Sequence, residues 1–179
     1  ITDGSGSAAK GITFRNNGNA TISGIEIDGH YNLVDTGSYL GFISGNVNFI
    51  ESAVKLAGRS LDLEGRSSDG RELQGQSPFL ANLQFGLDHY PTEQKFTLLF
   101  NYFDDRIYAT SRGPSTGPEM EDGRLVVDFT YDKLMSESLT VKAKIKNLLD
   151  EEYSWSRDGE QIERFNSGIK FSASVSYEF

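Results

Sequence analysis

Ile169-Lys170-Phe171-Ser172-Ala173-Ser174-Val175-Ser176-Tyr177-Glu178-Phe179 alternates apolar and polar residues without a break. Successive side chains of a strand point to opposite faces. Ile169, Phe171, Ala173, Val175, Tyr177 and Phe179 therefore share one face. Lys170, Ser172, Ser174, Ser176 and Glu178 share the other. An average strand runs to roughly 5–6 residues. A strand tilted across a bilayer needs about 9–11. This alternation has the membrane length, and its charged and hydroxyl face could not fill a dry core. It reads as a strand of a membrane-spanning β-barrel.

The same period recurs upstream. Leu139, Val141, Ala143 and Ile145 alternate with Thr140, Lys142, Lys144 and Lys146. Leu125, Val127, Phe129 and Tyr131 alternate with Arg124, Val126, Asp128 and Thr130. Phe96, Leu98, Phe100 and Tyr102 alternate with Lys95, Thr97, Leu99 and Asn101. Phe79, Ala81, Leu83, Phe85 and Leu87 alternate with Leu80, Asn82, Gln84, Gly86 and Asp88. Weaker faces run through Gly41, Ile43, Gly45, Val47 and Phe49, and through Ile25, Ile27, Gly29, Tyr31 and Leu33. A short first strand is placed at 11–15. The pattern predicts an all-β antiparallel up-and-down meander of about eight long strands, with no amphipathic helix. As a fragment it would be an open, curled sheet, part of a transmembrane β-barrel.

Composition sets outer bounds. No apolar run approaches the roughly 18 residues of a membrane helix. The negative mean hydropathy suits a barrel, in which alternate strand residues face water. A net charge of −9 argues against nucleic acid, whose phosphates reward Lys and Arg. With no cysteine there is neither a disulfide framework nor a thiolate metal site. The chain opens on Ile1, with no basic and apolar leader segment, so processing or fragmentation is expected.

Gap lengths give an orientation. The gaps at 34–37, 91–94 and 133–137 are short; those at 51–77, 111–122 and 151–166 are long. Outer-membrane barrels have short periplasmic turns and longer external loops. With Phe179 on the periplasmic side, all three long loops fall outside, although the short gap near 16–19 breaks the alternation. Tyr31, Tyr39, Phe96, Tyr131, Tyr177 and Phe179 then sit near periplasmic strand ends. Tyr108, Tyr153 and Trp155 sit near outer ends, as interfacial aromatics do. Tyr90 has the wrong parity and calls for a bulge or an inward ring.

These residues also resemble a known family. Leu139 to Tyr153, reading LTVKAKIKNLLDEEY, resembles the penultimate strand of TonB-dependent outer-membrane receptors. Asn147, Leu148, Asp150 and Tyr153 fall on that family's N-L-x-D-x-x-Y pattern. The ending ASVSYEF resembles the C-terminal assembly signal of outer-membrane proteins, carried by Ala173, Val175, Tyr177 and Phe179. Gly24-Ile25-Glu26-Ile27 and Leu73-Gln74-Gly75-Gln76-Ser77-Pro78-Phe79 resemble further strand entries of the family. The resemblance covers residues 1–179 as a C-terminal segment of the barrel, with the plug, the TonB box and the N-terminal strands absent.

The resemblance implies an outer-membrane receptor that imports a scarce nutrient, such as an iron chelate, cobalamin or glycan. It implies no enzyme activity and no cofactor. The implied partners are outer-membrane lipid and lipopolysaccharide, the rest of the barrel and plug, and TonB through the missing N-terminal part. The alternative reading is a complete small eight-stranded outer-membrane barrel with a structural or adhesive role. A hydrolase using His30 or His89, and a soluble β-sandwich, are weaker readings.

Few residues stand out as sites. Glu151, Glu152, Asp158, Glu160 and Glu163 crowd one outer loop beside Arg157 and Arg164. Glu151, Glu152, Trp155 and Arg157 are the candidate ligand contacts there, against the plainer reading of a solvated loop. Lys142, Lys144 and Lys146 could form a basic stripe in the lumen. The plainer reading balances them with Asp128 and Asp132 on the neighbouring strand, at about 0.2–1 kcal/mol per pair. His30 and His89 have no catalytic partner in their own segments. Asp104, Asp105 and Arg106 are expected to open a loop, and 113–118 is turn-rich.

Overall fold

The computed structural model describes residues 18–58, 64–65, 68–111, 113 and 115–178. The expected strand at 11–15 and the terminal Phe179 lie outside them. The strands are, in chain order, β1 (Gly18–Asp35), β2 (Tyr39–Leu56), β3 (Phe79–His89), β4 (Gln94–Phe103), β5 (Arg106–Ala109), β6 (Glu119–Glu121), β7 (Arg124–Ser136), β8 (Leu139–Lys146), β9 (Glu152–Arg157), β10 (Glu160–Asn166) and β11 (Lys170–Tyr177).

Seven of them form one antiparallel sheet in the order β1-β2-β3-β4-β7-β8-β11. It is an open, curled meander that does not close on itself, and β1 and β11 are its two edges. The alternating segments named from sequence are these seven strands, several of them longer than expected. β1 and β2 each run 18 residues. The terminal strand is shorter, with β11 entering the ladder only over Lys170–Tyr177.

Register carries one apolar face across the sheet. Tyr31 pairs with Ile43, Ile43 with Phe85, Phe85 with Leu98 and Leu98 with Phe129. Phe129 then pairs with Ile145 and Ile145 with Phe171. Because side chains alternate strictly, a one-residue slip at any step would break this row. At the β11 edge little covers the face, with Phe171 75% exposed and Val175 68%, whereas Val127 on β7 is buried at 3%.

Aromatic rings mark both ends of the apolar band. At the end with the short turns, Tyr39 stacks on His89 at 4.5 Å and Phe96 meets Tyr131 at 4.9 Å. At the other end Phe79 lies 5.0 Å from Phe49 and 5.9 Å from Tyr102. Tyr90 needs no bulge, because it leaves the strand and opens a 3-10 turn, Tyr90–Thr92.

The opposite face is polar and internally paired. Asn101 donates to Asn82, Asn82 to Asn46 at 2.9 Å, and Asn46 to Glu26 at 2.7 Å. Lys142 pairs with Asp132 at 3.0 Å and Lys144 with Asp128 at 3.5 Å. The lysine stripe is thus largely neutralised in place, although Lys146 stands opposite Lys170 on β11. His30 meets Asn32 at 2.8 Å.

The three long connections all leave the same end of the sheet, and the three short turns close the other. Two of the long connections are not loops, which corrects the expectation for 111–122 and 151–166. They contribute β6, β9 and β10, which join β5 in a second sheet of order β10-β9-β6-β5. The segment Asp104-Asp105-Arg106 leads directly into β5. β4 therefore pairs with β7, and β8 with β11, across these insertions rather than with the next strand in the chain.

Candidate functional site

The second sheet, outer in the sense that its strands come from the connections at the far end of the first, is built around a tight hairpin. Asp158 and Gly159 join β9 to β10 with φ of 53° and 81°. Positive φ at both central residues is what a type I′ turn requires, and Asp-Gly suits it. Asp158 also accepts a hydrogen bond from the Gly117 backbone N–H at 3.1 Å, which fastens the tip to the preceding connection.

The base of the hairpin is tied by the residues of the family-like motif. Asn147 has a left-handed backbone, φ 55°. Its side-chain oxygen accepts the Glu151 N–H at 2.9 Å. Its side-chain amide donates to the carbonyls of Glu151 at 3.1 Å and Gly168 at 3.4 Å. Its own N–H reaches Asp128 at 3.0 Å. Leu148 contributes its N–H to the Val127 carbonyl at 2.7 Å. Asp150, φ 55°, makes the second left-handed step. Asn and Asp tolerate this conformation better than most residues.

Tyr153, the last motif residue, receives the Arg124 guanidinium on its ring face at 3.6 Å from the centroid. Arg124 also lies 5.3 Å from Phe103, and Arg106 approaches the same Phe103 at 4.5 Å. This pile runs from the wall strands into the outer hairpin. Beyond it Tyr153 stacks on Phe165 at 4.5 Å, Trp155 lies 5.7 Å from Phe165, and Tyr108 meets Trp155 edge-on at 5.8 Å.

Asp122 buttresses the other face of β9, accepting hydrogen bonds from Ser154 at 2.5 Å and Ser156 at 2.8 Å. Arg106 pairs with Glu121 at 2.7 Å, Arg157 with Glu119, and Arg164 with Glu152 at 3.4 Å.

The four candidate contacts therefore divide. Glu151 serves the hairpin base through its backbone, Glu152 holds Arg164, and Arg157 holds Glu119. Trp155 alone belongs to the aromatic cluster. The sequence reading did not single out Arg124 or Phe165. It placed Tyr108 only as an outer-rim ring, and Glu160 and Glu163 only within a crowded acidic loop. A usable signal was present: Asp-Gly flanked by Tyr-Ser-Trp-Ser-Arg and Glu-Gln-Ile-Glu-Arg-Phe is the strongest short-range hairpin pattern. Of the motif-like C-terminal residues, Ala173 pairs with Ala143, Val175 with Val141 and Tyr177 with Leu139. All three lie on the apolar face of the edge strand.

No family model, curated protein or solved structure matches this chain.

Proposed function

We propose that the chain is a C-terminal wall segment of a TonB-dependent outer-membrane receptor that takes up a scarce nutrient. The observation that carries this reading is the unbroken apolar face with aromatic rings at both margins. From Tyr39 to Phe49 that face extends ten residue steps along β2. At roughly 3.3 Å per residue this is about 33 Å of strand. Tilted by about 40°, it projects to about 25 Å, the height of the apolar band of outer-membrane barrels.

Two further features support it. The sheet polarity, short turns at one end and elaborated connections at the other, is that of such barrels. The residues resembling the family's strand motif all serve the base of an outer hairpin, the place where a receptor needs a fixed external platform. On this reading lipid and lipopolysaccharide meet the apolar face. The plug and the remaining strands occupy the polar face and the open edges, and TonB acts through the plug. Ala173, Val175, Tyr177 and Phe179 act in assembly rather than in ligand binding.

The chain has no cysteine, so single cysteines can be introduced for labelling. A membrane-impermeant maleimide applied to intact cells should modify Asp158→Cys at the hairpin tip. Ser138→Cys in the short turn should react only after the outer membrane is permeabilised. Labelling of both, or of Ser138→Cys alone, in intact cells would contradict the assignment.

A further inference from the structure

The aromatic face of the outer sheet carries two carboxylates that have no ion pair among the described residues. Strands β5, β6, β9 and β10 hold five glutamates and three arginines. All three arginines are already paired: Arg106 with Glu121, Arg157 with Glu119, Arg164 with Glu152. Glu160 and Glu163 remain, without an ion pair among the described residues. Register puts Glu163 opposite Trp155 and Glu160 opposite Arg157. Both therefore lie on the face that bears Tyr153, Trp155 and Phe165.

The same face presents open rings. Tyr108 is 54% exposed and Phe165 47%. The pile below them alternates guanidinium and ring as far as Tyr153. Arg106 and Arg124 both approach Phe103, Arg124 covers Tyr153, and Tyr153 stacks on Phe165. The fold thus supplies cations to the inner rings and none, among the described residues, to Phe165. Aromatic faces attract cations through their quadrupole, and quaternary ammonium groups are recognised in this way. The two carboxylates beside the rings add a Coulomb attraction of the same sign, offset in part by the Arg124 guanidinium below Tyr153.

We infer that Tyr108, Trp155 and Phe165, flanked by Glu160 and Glu163, form a binding site for an organic cation, an alkylammonium group above all. Anionic ligands are disfavoured by the two free carboxylates. A bare divalent ion is disfavoured because only two carboxylates flank the rings, and no group of three or more His, Cys, Asp or Glu side chains that could hold a metal lies among the described residues. The site stands on the outer sheet alone, whatever the wall below it encloses.

Trp155 is the only tryptophan, so its fluorescence reports the site directly. The full chain in detergent would be titrated with choline chloride at constant ionic strength. The same titration would be run with 3,3-dimethyl-1-butanol, the neutral isostere of choline, and with calcium chloride. Choline should change the emission saturably, while the neutral isostere and calcium should not. Glu163→Gln should weaken choline at least about threefold, in line with an exposed cation–π site helped by charge. Phe165→Leu should weaken it further. Far-UV circular dichroism identical to the parent chain would show that both variants fold. Equal saturation by the isostere, saturation by calcium alone, no saturation by choline, or a Glu163→Gln variant of unchanged affinity would each overturn the inference.

Discussion

The Arg124 guanidinium lies 3.6 Å above the Tyr153 ring, and this contact joins the first residue of β7 to the outer hairpin. It couples the wall sheet to the outer sheet through one side chain from each. A cation–π contact contributes roughly 0.5–1 kcal/mol at exposed sites and about 2 when desolvated. A double-mutant cycle of Arg124→Leu and Tyr153→Leu, read by amide exchange of β9, should give a coupling near 1–2 kcal/mol. Arg124→Lys should recover only part of it, because an ammonium lacks the planar stacking surface. A coupling of zero would mean that the sheets are held together elsewhere.

Asn147 performs two tasks that substitutions can separate. It adopts a left-handed backbone, and its side chain holds Glu151 and Gly168. Asn147→Gly keeps the conformation and loses the hydrogen bonds, so the hairpin should weaken by about 1 kcal/mol. Asn147→Ala loses both and should weaken it by roughly 1–2 kcal/mol more. Exchange rates of the Tyr153 and Trp155 amides measure the difference. If the Ala variant were no worse than the Gly variant, backbone conformation would not be what this position secures.

Five strands of the seven-stranded sheet are legible from sequence because each presents a clear alternation; β1 and β2 show it more weakly, since glycines interrupt their apolar faces, and both run longer than the pattern indicates. Phe96, Leu98 and Phe100 could be assigned to one face without a partner in view. The outer sheet was harder for a physical reason. β6 is only three residues, too short for any period; β9 alternates just two rings with serines, and β10 sets Ile162 and Phe165 among charges, off one period because of a register shift. Arg124 read as one more polar wall residue, since its ring partner lies 29 positions away in sequence. In the lysine stripe Lys142 and Lys144 fit the plainer of the two sequence readings, paired with Asp132 and Asp128 on the facing strand, while Lys146 stands opposite Lys170.

A charge placed on the apolar face should be far less tolerated than the same charge on the polar face. Phe129 and Thr130 sit near the middle of β7, on opposite faces. Phe129→Arg should destabilise the inserted protein by about 2–4 kcal/mol, the penalty for Arg at the bilayer midplane. Thr130→Arg, flanked by Asp128 and Asp132, should change stability little. Urea titration in lipid vesicles gives both values. Equal penalties would remove the distinction between the faces.

The apolar face is claimed to meet lipid, and two adjacent residues of one central strand test that most directly. Nitroxide labels would be attached at Phe129→Cys and Thr130→Cys, and the protein inserted into lipid vesicles. Relaxation by oxygen, which partitions into lipid, would be compared with relaxation by a water-soluble nickel chelate. Phe129 pairs with Leu98 and Ile145 on the apolar face, and its label should be relaxed by oxygen and shielded from nickel. Thr130 pairs with Thr97 and Lys144, and its label should show the reverse. Nickel access at both positions, or preferential nickel access at Phe129, would contradict a wall that spans the outer membrane.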